Sequence, residues 1–61
     1  MMITMIRTLR ITKGLSIRET AKLTGIKATL LGKMERRIIP IDWESLQALS
    51  ALFEVSINEI I

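Results

Sequence analysis

The residues in this 61-residue chain that could do chemistry are nearly all cations. Lys27, Thr29 and Lys33 recur within one short apolar-studded run, and Arg18, Lys22, Arg36 and Arg37 flank it. A lysine ammonium or a threonine hydroxyl can address the base edges of a nucleic acid, while scattered arginines and lysines suit phosphates. Covalent catalysis has no such support. There is no Cys and no His, no phosphate-cradling Gly-rich loop and no converging pair of carboxylates, so no nucleophile and base can be assembled. The expectation is a protein that is not an enzyme and carries no metal site and no cofactor.

Charge is divided along the chain. All nine basic residues precede residue 38, where only Glu19 and Glu35 oppose them, a net of +7. Residues 38–61 hold Asp42, Glu44, Glu54 and Glu59 with no basic residue, a net of −4. One part of the fold is therefore an electropositive surface suited to polyanions, and the other is acidic and apolar. No apolar stretch approaches the roughly 20 residues that span a bilayer, and the start of the chain has no signal-peptide pattern, so a soluble cytoplasmic protein without membrane association is expected.

The elements that must position these residues are short helices. A domain this small buries only about 60% of the surface its unfolded chain exposes. Its core alone supplies roughly 3–5 kcal/mol, so every cap and packed side chain counts. Ile3, Ile6, Leu9 and Arg10 form one stripe of a first helix over residues 2–13, which Gly14 stops. Ser16 with Glu19 is a capping-box pattern that opens a second helix from Ile17 to Thr24, and Gly25 ends it. A third helix of about nine residues follows, with Ile26, Leu30, Leu31 and Met34 as its apolar positions. Pro40 turns the chain away, and Asp42 caps a fourth helix over 43–53 whose Trp43, Leu46, Leu49, Ser50 and Phe53 recur at helical spacing. Ser56 and Glu59 repeat the capping-box pattern before a short last helix. The result is an all-α chain, a single domain over 1–61 with no credible strand.

From Ile17 to Arg36 the spacing is informative. Ala21 sits four residues before Gly25 and lets two helices approach, Gly25 makes the turn, and Ile26, Leu31 and Met34 anchor the following helix. Together with IRTLRITKGLS before it, MERR after it and LQALSALFEVSINEI at the end, this segment resembles the five-helix Cro and phage-repressor (XRE-type) family along essentially the whole chain. The resemblance implies a compact lambda-repressor-like DNA-binding domain with a helix-turn-helix at helices 2 and 3, residues 17–36. It implies that residues 27–36 lie in the major groove of double-stranded DNA, that the second helix opens against the phosphate backbone, and that Arg10 and Glu35 form a structural ion pair.

Within that frame the candidate base-reading residues are Lys27, Ala28, Thr29, Gly32 and Lys33. The candidate phosphate contacts are Ile17, Arg18, Lys22, Arg36 and Arg37. Ile17 stands where the family usually has Gln, Lys27 where a small polar cap is common, Ala28 and Gly32 where polar readers are common, and Glu54 where Gly is frequent. Small residues let the helix approach the groove closely, with Ala28 against a thymine methyl group. The apolar fraction is 49% and includes three isoleucines in the loop after the third helix. The family forms two-fold dimers through this loop and the last helix, so Ile38, Ile39, Ile41, Trp43, Ile57, Ile60 and Ile61 are the expected homodimer interface. The expectation is thus a dimeric repressor on a pseudo-palindromic operator, with no small-molecule effector. The alternative is a protein-interaction module, an antitoxin or antirepressor, built on the same fold.

Overall fold

Capping chemistry sets the helix boundaries. The computed structural model describes residues 5–60, among which there are five α-helices and no strand: α1 Met5–Thr12, α2 Ile17–Thr24, α3 Ala28–Glu35, α4 Trp43–Phe53 and α5 Ile57–Ile60. The expected start of the first helix, with Ile3, lies outside the described residues. At α2 both halves of the capping box form. The Ser16 hydroxyl accepts from the Glu19 N–H at 3.0 Å, and the Glu19 carboxylate accepts from the Ser16 N–H at 3.0 Å. The Ser16 backbone N–H, and after it the Ser16 hydroxyl, hold the Glu19 carboxyl below the usual glutamate range.

The turn out of α2 uses two local devices. Gly25 adopts φ 78°, which a side chain would resist, and its N–H closes on the Ala21 carbonyl. The Thr24 hydroxyl donates to the Thr20 carbonyl at 2.8 Å and accepts from the Ile26 N–H at 3.3 Å. The chain is therefore re-aimed within three residues. Asp42 caps α4 by accepting from the Ser45 hydroxyl and N–H, and its carboxyl is lowered mainly by the hydroxyl. The second capping-box pattern does not form. The Glu59 N–H meets the Ser56 backbone carbonyl instead, which closes the single turn that is α5.

Ile6, Leu31, Met34, Leu46, Leu49, Phe53 and Ile60 make the core, and α2 adds the fully buried Thr20. Thr20 is accommodated because its hydroxyl donates to the Ser16 carbonyl. Two expectations from helical spacing, and one from the family resemblance, are corrected. Leu30 is largely exposed, since α3 turns Leu31, Met34 and Glu35 inward and swings Leu30 outward. Trp43 is 61% exposed rather than part of the α4 stripe, because it starts the helix at the surface. Ile60 is 2% exposed and fills the domain's own core, so it offers a partner almost nothing.

Two helix ends adopt left-handed conformations without glycine. Arg37 has φ 58° after α3 and Glu54 has φ 56° after α4. At the second of these, the Glu54 and Val55 N–H groups both close on the Ser50 carbonyl. Among the described residues no helix is long and apolar enough to cross a membrane.

Candidate nucleic-acid interface

α1 and α3 are tied by one buried fork. The Arg10 guanidinium donates from Nε to Glu35 Oε2 at 2.7 Å and from Nη2 to Oε1 at 3.0 Å, and its Nη1 donates to the Leu15 carbonyl at 2.8 Å. The two side chains are only 11% and 4% exposed. Hydrogen bonding to Glu35 raises the Arg10 pKa, against the lowering effect of burial. Both carboxylate oxygens and the planar fork are satisfied, as a guanidinium on an apolar stripe requires. The pair fixes the end of α3 relative to α1.

With Leu31, Met34 and Glu35 turned inward, α3 presents Thr29 and Lys33 to solvent and leaves Ala28 and Gly32 half-buried at the edge. Ala28, Thr29, Gly32, Lys33 and Arg36 then line one open cleft of about 530 Å³ together with Ile17 from α2 and Arg7 and Arg10 from α1. Arg10 is already paired, so Arg7, Lys33 and Arg36 are the cations this cleft can offer. Arg36 also donates from Nε to the Gly32 carbonyl at 3.3 Å, which lays its side chain back along α3. Eight residues of helix extend about 12 Å, a length that fits a B-DNA major groove.

The remaining candidates are dispersed around this cleft. Arg18 and Lys22 are exposed one turn apart on the outer side of α2. Lys27 caps α3 without a side-chain bond and lines a second groove, shared with Leu30, Asp42 and Glu44. Arg37 lies beyond α3 and lines a third, apolar groove with Ile38, Ile39, Ile41, Leu46 and Ile60. Of the groove's isoleucines, Ile38 is about 60% exposed, whereas Ile39 and Ile41 are half-buried against the core; outside its lining, Trp43 is likewise about 60% exposed and Ile57 half-buried. Ile61 lies outside the described residues.

Arg7 is the cleft residue that sequence reasoning missed. Its signal was available, since it sits one turn before Arg10 on α1, but only the packing of α1 against α3 brings it to the cleft.

A basic cleft over one exposed helix, reached by a tight glycine turn from the helix before it, defines a helix-turn-helix DNA-binding domain. A family model described as helix-turn-helix matches residues 6–60, and the chain belongs to that family, in its Cro and phage-repressor (XRE) branch. It is accordingly a DNA-binding regulator in general character. No curated protein and no solved structure matches the chain significantly.

Proposed function

We propose that the protein is a transcriptional repressor that binds a pseudo-palindromic operator as a homodimer and blocks transcription by occupying it. The observation that carries this reading is the cleft, in which α1, α2 and α3 each contribute to one basic surface around Thr29 and Lys33. Lys33 and Thr29 address base edges, and Ala28 and Gly32 allow close approach. Arg7, Arg18, Lys22 and Arg36 take phosphates. The main-chain N–H of Ile17, in the first turn of α2, adds a phosphate donor that its side chain cannot supply. Lys27 and Arg37 stand at the two ends of α3, where neighbouring base edges and phosphates are within the reach of long side chains.

Dimerisation is supported by the apolar groove, by the exposure of Ile38 in its lining and by that of Trp43 at the start of α4. Ile39, Ile41 and Ile57 contribute their exposed halves. Two copies, each 24 × 24 × 22 Å, are together wide enough to address successive major grooves about 34 Å apart.

Mobility shift on duplex DNA over a salt series tests both parts. Several phosphate contacts per protomer predict a loss of about a thousandfold in affinity between roughly 50 and 200 mM salt. Ile38→Asp is expected to convert a sedimenting dimer to monomer and to abolish tight binding to a two-half-site duplex. Absent or salt-insensitive duplex binding, alongside tight association with a protein, would instead support an antitoxin or antirepressor module. Monomeric sedimentation of both forms would remove the dimer.

A further inference from the structure

We infer that the cleft reads thymine through its methyl group and that Ile17 is the specificity-determining residue for it; this rests on the cleft being the DNA face. In the major groove each base makes a different demand. Adenine is held by a side chain that both donates and accepts, cytosine requires an acceptor, guanine takes a cation, and thymine alone presents a methyl group.

The cleft can meet only some of these demands. Its lining contains no carboxamide. The adjoining carboxylate, Glu35, has both oxygens committed to Arg10. With Arg7 and Arg36 on phosphates, what remains to touch a base edge is the ammonium of Lys33, the hydroxyl and methyl of Thr29, and the apolar lining of Ile17, Ala28 and Gly32. Adenine has no bidentate partner here, and cytosine has one hydroxyl. Guanine and thymine are the bases this surface satisfies.

Ile17 carries the apolar part. It is half-buried, with its inner side packed against the core and the rest lining the cleft. The capping box at Ser16 and Glu19 fixes the backbone at that point, and β-branching restricts its χ1. Its side chain has no group to offer a phosphate, so what it presents to the basic cleft beyond its core contact is apolar surface, which suits an apolar ligand group. Ala28, in the first turn of α3, lines the same cleft, and Gly32 leaves open space there, since a Cβ on it would meet nothing within 4 Å. A thymine methyl is the apolar group that DNA presents at such a place.

Moving one methyl group from water into apolar contact is worth about fourfold in affinity, hence about fifteenfold over two half-sites. The test uses a duplex selected from a random pool and the same duplex with every thymine replaced by uracil, which keeps all hydrogen-bonding groups and phosphates. The wild-type protein is expected to bind the uracil duplex about fifteenfold more weakly with an unchanged salt slope. Ile17→Ala and Ala28→Gly are expected to narrow that difference, while Arg18→Ala weakens both duplexes equally. Because the decisive change is in the DNA, the comparison stands even where Ile17→Ala fails to fold. Equal affinity for the two duplexes, or a selection that enriches no thymine, overturns the methyl reading and leaves DNA binding intact. No binding of either duplex at low salt overturns the underlying functional reading.

Discussion

Gly32→Ala separates what this helix needs for folding from what it needs for function. Gly32 lies inside α3, with backbone geometry any residue can adopt, and a Cβ built on it meets nothing within 4 Å. Nothing in the protein's own packing requires a glycine there. An interior helical glycine costs about 0.8–1.0 kcal/mol relative to alanine, so the variant should be more stable by about 1 kcal/mol. For a domain of this size that corresponds to a rise of about 4–8 °C in Tm. Against a marginal total of roughly 3–5 kcal/mol the gain is large. The same methyl group would project into the cleft, where it competes with DNA for the space. Overpacking costs of about 1–3 kcal/mol imply a loss of duplex affinity of about tenfold or more. Thermal unfolding by circular dichroism and mobility shift on one selected duplex read the two effects separately. An unchanged or lowered Tm would refute the helix-propensity reasoning. A raised Tm with undiminished affinity would refute close approach at Gly32.

Other outcomes follow from the caps and the buried pair. Glu35→Ala leaves the Arg10 guanidinium buried with only the Leu15 carbonyl, and should cost about 3 kcal/mol, enough to leave much of the protein unfolded in urea titrations. Replacing both members by apolar residues, as in Arg10→Met with Glu35→Leu, should restore most of that loss. Glu54→Gly relieves a left-handed backbone, φ 56°, whose cost is about 1–2 kcal/mol for a side-chain-bearing residue, so Tm should rise without any change in duplex affinity. The folded-state pKa values of Glu19 and Asp42 are lowered by their caps. Their contribution is therefore present above the unfolded carboxyl pKa of about 4 and is lost as pH falls through the lower folded values. Tm should drop between about pH 5 and pH 3, and the drop should shrink in a Glu19→Gln, Asp42→Asn double variant.

Much of the fold was legible because its signals are local. A hydroxyl or carboxylate three residues from the N–H it caps acts within one turn, so Ser16 and Asp42 fixed the starts of α2 and α4 in the sequence itself. Gly25 and Gly14, both at positive φ, likewise marked helix ends without reference to the rest of the chain. The helix-turn-helix followed from these signals and from the spacing of Ala21, Gly25, Leu31 and Met34.

Burial was not legible to the same degree, because it depends on which element packs against each face. Leu30 and Trp43 occupy plausible apolar positions on their own helices, yet both stay outside the core, 40% and 61% exposed. Ile60, which the sequence allows to face either inward or toward a partner, is taken up by the core that α1 and α4 share with α5. The same holds for the cleft. The sequence determined a basic half, a turn and a helix whose outward positions are Ala28, Thr29, Gly32 and Lys33. Only the tertiary structure decided that Arg7 joins them, that Arg10 is withdrawn by Glu35, and that Ile17 lines the same cleft as Ala28. These juxtapositions bridge 11 to 26 residues of chain, and helix packing alone brings such distant positions into one site.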